Sequence, residues 1–169
     1  MKAITVTQPF ATLCAINAKR IETRGWKTDY RGPLAIHAGK GCPPEFVALA
    51  HTEPFFSILK AAGYALFGDL PRGAVIATCR LVECLQIGPR IAAFGVANEG
   101  EWRLTDQERA FGDYTPGRYA WLLADVQPLA APIPARGALS LWAWEPGLSP
   151  TEFDRIYQGR FPSASPDRP

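Results

Sequence analysis

Hydrophobic and polar positions divide the first forty residues into a strand, a helix and two more extended segments. Residues 3–7 are mostly β-branched and predict a short strand. Pro9 suits a first helical turn, and the apolar residues after it recur at helical spacing, which predicts a helix that ends near Ala18. Residues 19–24 are expected to be extended, and residues 34–38 are expected to form a third strand.

The pattern changes to helical spacing in the middle of the chain. Residues 43–66 predict one or two short helices, broken at Glu53-Pro54. Residues 74–87 open with an apolar run and then alternate, which predicts a long strand. Residues 88–112 are less regular, although Thr105 and the acidic residues after it predict a capped helical turn.

Two further strands are predicted near the end of the pattern. They cover residues 119–123 and 138–144, and the proline-rich residues 127–136 are expected to connect them. Short strands mixed with two or more helices predict a mixed α/β chain in which a strongly bent sheet closes on itself.

One domain accounts for most of this pattern. It is expected to span residues 1–146, with a helical insertion near residues 43–67. Residues 147–169 are expected to add a carboxyl-terminal helix, at residues 151–158, and a mobile tail.

Composition fits an ordinary globular domain. The chain has 169 residues, of which 47% are hydrophobic and 20% charged. It contains no apolar run of about 20 residues and opens without a signal-peptide core, so a cytoplasmic protein with no membrane partner is expected. Four cysteines without a CxxC pair, and two histidines, predict neither a metal site nor a disulfide, and no cofactor is expected.

Charge is concentrated in one segment. Residues 17–40 carry six basic and two acidic side chains, whereas the net charge of the whole chain is only +2. Trp26 and Tyr30 are interleaved with these basic residues, a composition typical of surfaces that track a nucleic-acid backbone and stack bases. An ordinary solvated loop has the same composition, so charge leaves both interpretations open.

The densest polar cluster lies in the predicted strand at residues 19–24. On an extended segment Arg20, Glu22 and Arg24 share one face. Either Glu22 simply pairs with an arginine, or the arginines bind phosphate while Glu22 orients a base or a water. No GxGxxG motif, Walker loop, nucleophile elbow or HExxH motif is present to decide the matter.

Three segments occur in order along the chain: QPFATL at residues 8–13, KRIETR at residues 19–24 and WKTDYRGPLAIHA at residues 26–38. Together they resemble the ASCH domain, named for activating signal cointegrator homology. Phe10 stands where the family has tryptophan, and Asn17 stands where it has glycine. The resemblance continues through residues 73–84 and 119–144, and so covers most of the chain.

This resemblance implies a PUA-like, closed or partly closed β-barrel with flanking helices. A cleft between the first helix and the barrel would be lined by Lys19, Glu22 and Arg24. Members of the family are thought to bind RNA or DNA, and one bacterial branch hydrolyses an acetylated cytidine with a lysine, a threonine and a glutamate. In this chain Glu22 occupies the threonine position, and Thr23 is expected to point away from Glu22.

Binding of RNA, DNA or a nucleotide-like small molecule, such as a modified nucleoside, is the preferred hypothesis. A hydrolase that uses Lys19 and Glu22, either an amidohydrolase or a ribonuclease, is the alternative. An adaptor for other proteins is a third, which rests on the family alone. The predicted binding residues combine phosphate contacts, base stacking and base-edge recognition; they are Gln8, Lys19, Glu22, Arg24, Trp26, Tyr30, Arg31 and Tyr119.

Overall fold

The computed structural model describes residues 1–94 and 104–147. Its strands are β1 (Lys2–Val6), β2 (Ile21–Arg24), β3 (Gly32–Ala38), β4 (Ala74–Gln86), β5 (Tyr119–Pro134) and β6 (Leu141–Ala143). Its helices are α1 (Phe10–Ala15), α2 (Pro44–Leu49), α3 (Phe55–Ala61), α4 (Pro89–Phe94) and α5 (Asp106–Ala110), and Phe67–Asp69 forms a single 3₁₀ turn. The helix expected at residues 151–158 and the tail lie outside the described residues.

The strands of the described residues form one curled sheet in the order β2-β5-β4-β3-β1-β6. The β1–β3 pair is parallel and the other pairs are antiparallel. The sheet curls until its β2 edge reaches β1, where Arg24 Nη2 donates to the carbonyl oxygen of Thr5 at 2.7 Å. The expected mixed α/β fold with a partly closed barrel is confirmed.

Strand β2 has two distinct faces because its side chains alternate. Glu22 lies opposite Trp121 of β5 and shares the inner face of the barrel with it. Ile21 lies on the other face, in a second apolar cluster formed with β5 and the segments that follow β4; its buried members are Ile21, Ile87, Leu104, Tyr114, Ala120 and Leu122. Charged side chains of β2 therefore point into the barrel, whereas its outer face carries the uncharged Ile21 and Thr23.

The helical insertion packs on the outer side of α1. Phe10 of α1 makes edge-to-face contacts with Phe46 and Phe55, with ring centroids 5.3 and 5.9 Å apart. Helices α2 and α3 lie on either side of Glu53-Pro54, which confirms the predicted break. The insertion thus covers the face of α1 that the barrel leaves open.

The proline-rich segment was expected to connect two strands, and this expectation is wrong. Strand β5 continues to Pro134, and Gln127 and Ile133 pair with Thr78 and Val75 of β4. Its neighbour β2 pairs only with residues 119–122, so the later half of β5 has an open edge among the described residues. Proline is tolerated there because the missing N–H breaks no ladder hydrogen bond on that side.

Two short helices occupy the region that the sequence left irregular. Helix α4 was not predicted, whereas the capped turn at α5 is confirmed, because Thr105 Oγ1 accepts a hydrogen bond from the Glu108 N–H at 3.1 Å. None of the helices in the described residues has the length and apolarity needed to cross a bilayer.

Candidate functional site

Three ionised side chains meet inside the barrel at the end of β2. Lys19 Nζ lies 3.5 Å from Glu22 Oε2, and Arg24 Nε lies 3.0 Å from Glu22 Oε1. The second contact is an ion pair outside hydrogen-bond geometry, since Arg24 Nε has no hydrogen-bond acceptor among the described residues. These three residues form what is called the ion cluster below, and they are the three that the family resemblance groups together.

The turn after α1 places Lys19 inside the barrel. The N–H groups of Ala18 and Lys19 both donate to the carbonyl oxygen of Leu13. The Lys19 side chain then bends back, and its ammonium group donates to the Ile21 carbonyl oxygen at 2.5 Å. Strand alternation did not predict this position, because Lys19 precedes the first residue of β2.

Access to solvent increases across the ion cluster. The side chains of Lys19, Glu22 and Arg24 are 1%, 10% and 22% exposed. A ligand at the mouth of the barrel would therefore meet Arg24 first.

Aromatic side chains pack on the inner core that the ion cluster borders. Trp26 is half-buried and packs edge-to-face on Trp121, with ring centroids 4.7 Å apart, and Trp121 lies opposite Glu22. Tyr119 lies directly opposite Arg24 in the β2–β5 pair. Tyr30 is partly buried against the same core, and its hydroxyl donates to the Pro33 carbonyl oxygen, so the structure brings Tyr119 next to the ion cluster but does not bring Tyr30 into contact with it.

Arg31 is engaged by the protein itself. Its guanidinium group donates to the carbonyl oxygens of Thr28 and Tyr30 and pairs with Glu83 of β4. The Cys84 N–H and then Arg31 hold the pKa of the Glu83 carboxyl below its usual range. Arg31 therefore fixes the loop before β3, and its contact with a phosphate group stays a prediction.

Other positive charges of the predicted basic segment are also paired. Lys27 Nζ lies 2.7 Å from Asp29 Oδ1, and this hydrogen bond raises the pKa of Lys27 and lowers that of Asp29. Glu83 comes from β4, more than fifty residues further along the chain. Asp29 belongs to the segment, whereas Glu83 is a carboxylate that the local sequence does not contain, so the segment is less basic in the fold than its composition.

Gln8 is fully buried and bonded within the protein. Its amide nitrogen donates to Thr12 Oγ1 at 2.8 Å and to the Pro71 carbonyl oxygen at 2.7 Å. Its amide oxygen accepts from the Thr12 N–H at 3.0 Å. Gln8 thus ties the start of α1 to the segment before β4, and its role in ligand binding stays a prediction.

Thr23 lies on the outer face of β2, as expected. Its hydroxyl oxygen accepts a hydrogen bond from the Asp113 N–H at 3.1 Å. Because side chains alternate along a strand, the Thr23 hydroxyl points away from Glu22 and is separated from the ion cluster.

Glu108 is a buried residue of this region that sequence reasoning missed. Its carboxylate accepts hydrogen bonds from the N–H groups of Arg20 and Ile21 and from the Tyr114 hydroxyl. Burial, and then the charge of Glu108, raises the pKa of Tyr114. The capping pattern after Thr105 predicted the helix that carries Glu108, but no local signal indicated a contact 88 residues away.

A small surface depression lies beside α3 and the 3₁₀ turn. None of the predicted site residues lines it; its lining residues are Ala50, His51, Phe56, Leu59, Tyr64, Ala65, Leu66, Phe67 and Leu70. Within residues 1–94 and 104–147, no group of three or more His, Cys, Asp or Glu side chains is placed to hold a metal ion.

The sequence is similar to a curated protein from two mammals. Over 84 residues it is 33% identical to activating signal cointegrator 1 of Homo sapiens, and over 82 residues it is 29% identical to that of Mus musculus. Each match covers 48% of this chain but only 14% of the relative. No family model matches the sequence.

Solved structures to which this chain is similar come from Zymomonas mobilis. The crystal structure of ASCH from this bacterium is 17% identical, covers 92% of each chain and has a TM-score of 0.47. A point mutant of the same protein is 16% identical and covers 92% of this chain and 94% of that chain, also with a TM-score of 0.47. The match to activating signal cointegrator 1 confirms the family resemblance that the three motif segments carry.

Proposed function

We propose that this chain, an ASCH-type domain, binds RNA or a modified nucleoside at the mouth of its barrel, beside Arg24. The ion cluster carries this proposal. Buried Glu22 pairs with Arg24, and Arg24 also donates to the Thr5 carbonyl oxygen, while its side chain remains partly exposed. A guanidinium held in this way has lost much of its conformational freedom before the ligand arrives, which favours binding.

The groups around Arg24 suit one unstacked nucleotide. Arg24 would contact a phosphate or a carbonyl oxygen, and Glu22 would accept from an exocyclic amine such as N4 of cytosine. Trp26, Tyr30 and Tyr119 offer aromatic surface for stacking. Because Lys27 and Arg31 are paired within the protein, recognition of a single unit fits these charges better than a long basic groove.

Fluorescence anisotropy tests the proposal. A short labelled single-stranded RNA and the DNA of the same sequence are titrated at low salt, with cytidine and acylated cytidines as competitors. The Arg24→Ala variant is expected to bind at least about tenfold more weakly, because a hydrogen bond to a charged group is lost.

Arg80→Ala is the matched control. Arg80 is an exposed arginine of β4, paired with Asp125 at 3.1 Å, and its removal is expected to change affinity less than about twofold. Circular dichroism checks that both variants are folded. The proposal is wrong if the wild-type protein binds none of these ligands, or if the two variants bind alike.

Hydrolysis of a modified base or of RNA is a second candidate. The observation in its favour is a lysine ammonium group and a carboxylate 3.5 Å apart in a buried site, because general acid–base catalysis needs such groups within reach of one substrate. The position of Thr23 on the opposite face of β2 gives no support to a lysine–threonine pair. The same RNA and acylated cytidines, incubated with and without a divalent metal, distinguish the two: turnover that is lost in Glu22→Gln supports a hydrolase.

A further inference from the structure

We infer that Glu108 is a positioning residue for the ion cluster: it holds the backbone turn from which Lys19 and Glu22 enter the barrel. This inference rests on the proposed function for its ligand measurement. Glu108 lies on α5, and it contacts the turn from the face opposite the barrel interior, so it touches no ligand itself.

The carboxylate of Glu108 binds two consecutive backbone N–H groups. Oε2 accepts from the Arg20 N–H at 2.9 Å, and Oε1 accepts from the Ile21 N–H at 3.1 Å. Tyr114 adds its hydroxyl to Oε1 at 3.3 Å. The residue is only 6% exposed, so both backbone bonds are charge-assisted bonds in a site sheltered from water.

The two hydrogen bonds from the backbone to Glu108 matter because the turn lies outside the regular part of β2. A strand residue is oriented by its ladder, but Lys19 and Arg20 precede the strand and need another anchor. The Leu123 N–H donates to the Arg20 carbonyl oxygen, and Gln107 of α5 donates to the Ala18 carbonyl oxygen. Glu108 supplies the acceptors for the N–H groups that these bonds leave, so it fixes the direction of the chain between Lys19 and Glu22.

Helix α5 is itself well anchored, which makes Glu108 a fixed point. Thr105 caps its first turn, and Arg109 donates to the carbonyl oxygens of Ala92 and Ala93 at 2.7 and 3.0 Å. Through Arg109 and Glu108, helix α5 thus links the end of α4 to the turn that carries Lys19. A region without regular hydrophobic pattern in the sequence therefore supports the candidate site.

Glu108→Gln tests the inference with little change in shape. The amide offers one acceptor oxygen, but its NH₂ group faces a backbone N–H, where a donor meets a donor. The turn is expected to shift, and ligand affinity in the anisotropy experiment is expected to fall about tenfold. Tyr114→Phe is the matched control, because it removes one bond to Glu108 but leaves both backbone bonds, and its affinity is expected to stay within about twofold of wild type.

Ligand-free measurements separate this inference from the proposed function. Amide hydrogen exchange by NMR is expected to speed up at Arg20 and Ile21 in Glu108→Gln but not in Tyr114→Phe. If the glutamine variant does not fold, Glu108→Asp serves instead, because its shorter carboxylate keeps the charge but cannot reach both N–H groups at the same distances.

The outcomes are distinct. Faster exchange at the turn together with weaker binding supports the inference. If the wild type binds no ligand but exchange at Arg20 and Ile21 is faster in Glu108→Gln, the proposed function is wrong, while the role of Glu108 in holding the turn is supported. If Glu108→Gln lowers stability while affinity and exchange at Arg20 and Ile21 are unchanged, Glu108 has only a general structural role and the inference is wrong.

Discussion

At the scale of single residues, His37 illustrates a polar side chain enclosed by apolar surroundings. It is buried in β3, its Nε2 lies 3.0 Å from the Ala135 carbonyl oxygen, and its ring packs edge-to-face on Trp142. Because the Ala135 carbonyl oxygen accepts, Nε2 carries the proton in the neutral ring. Burial lowers the pKa of His37 from its ordinary value of 6.5, and the Ala135 bond only partly opposes this.

The depressed pKa of His37 predicts a stability that depends on pH. The unfolded chain takes up the proton at about pH 6.5, while the folded chain resists it until a lower pH, so stability falls as the pH drops below about 6.5. The free energy of unfolding is measured with urea at pH 7.5 and at pH 5.5. The difference between these two values is expected to be smaller in His37→Gln than in wild type, by on the order of 1 kcal/mol. His51→Gln, at an exposed histidine, is the control and is expected to keep the wild-type difference; equal behaviour of the two variants would contradict the assignment.

Residue identity predicted the candidate site only where local pattern decides geometry. Glu22 and Arg24 share a strand face because alternation requires it, and Thr23 faces the other way for the same reason. Strand alternation could not predict the position of Lys19, because a turn places it. Only the family resemblance grouped Lys19 with Glu22 and Arg24. The partner of Arg31 was not predictable, since Glu83 reaches it from a distant strand.

At the scale of elements, the segment between β5 and β6 packs closely over β1 and β3. A Cβ atom added to Gly137 would lie 2.5 Å from His37 Cε1 and 2.8 Å from Thr5 Oγ1. These distances are shorter than any comfortable contact. The segment therefore requires a residue without a side chain at this position.

Gly137→Ala is accordingly expected to destabilise the fold by about 1–3 kcal/mol, because His37 or the backbone must shift. Gly41→Ala is the matched control, since nothing lies within 4 Å of the added atom there, and it is expected to be neutral or slightly stabilising. Chemical unfolding of both variants at one pH measures the difference. Equal midpoints for the two variants would show that the segment adapts freely.

Elements were predictable where their pattern is long or strongly punctuated. The alternation of β4 and the break between α2 and α3 are both visible in the sequence. The later half of β5 was not, because its prolines normally end a strand and only the absence of a β2 partner on that side makes them harmless. Helix α4 was not predicted because it begins within the dipeptide Gly88-Pro89, which normally marks a loop.

At the scale of the whole molecule, ion pairs change what the charge distribution means. Residues 17–40 contain six basic and two acidic side chains, which suggested a basic surface. In the fold, Lys19 and Arg24 share Glu22, Lys27 pairs with Asp29 and Arg31 pairs with Glu83. Glu22 and Asp29 belong to the segment itself, whereas Glu83 comes from β4 and could be located only in three dimensions.

This neutralisation predicts a weak dependence of binding on salt. If one or two phosphates are contacted, the slope of log K against log salt for single-stranded RNA is expected to be about −0.7 to −1.4. Six free cations would give a slope of about −4. Anisotropy titrations over a range of KCl concentrations measure the slope, and a value near −4 would mean that the internal ion pairs open when RNA binds.

The pairing of β2 with β5 also sets an order of events during synthesis. Ile21 pairs with Leu122, about 100 residues later, and β5 is the strand partner of β2 among the described residues. At about 5–20 residues per second, the ribosome needs roughly 5–20 s to supply that partner. The segment that carries Lys19 and Arg24 therefore stays without its sheet until most of the chain has emerged, and a truncated product lacks the site altogether.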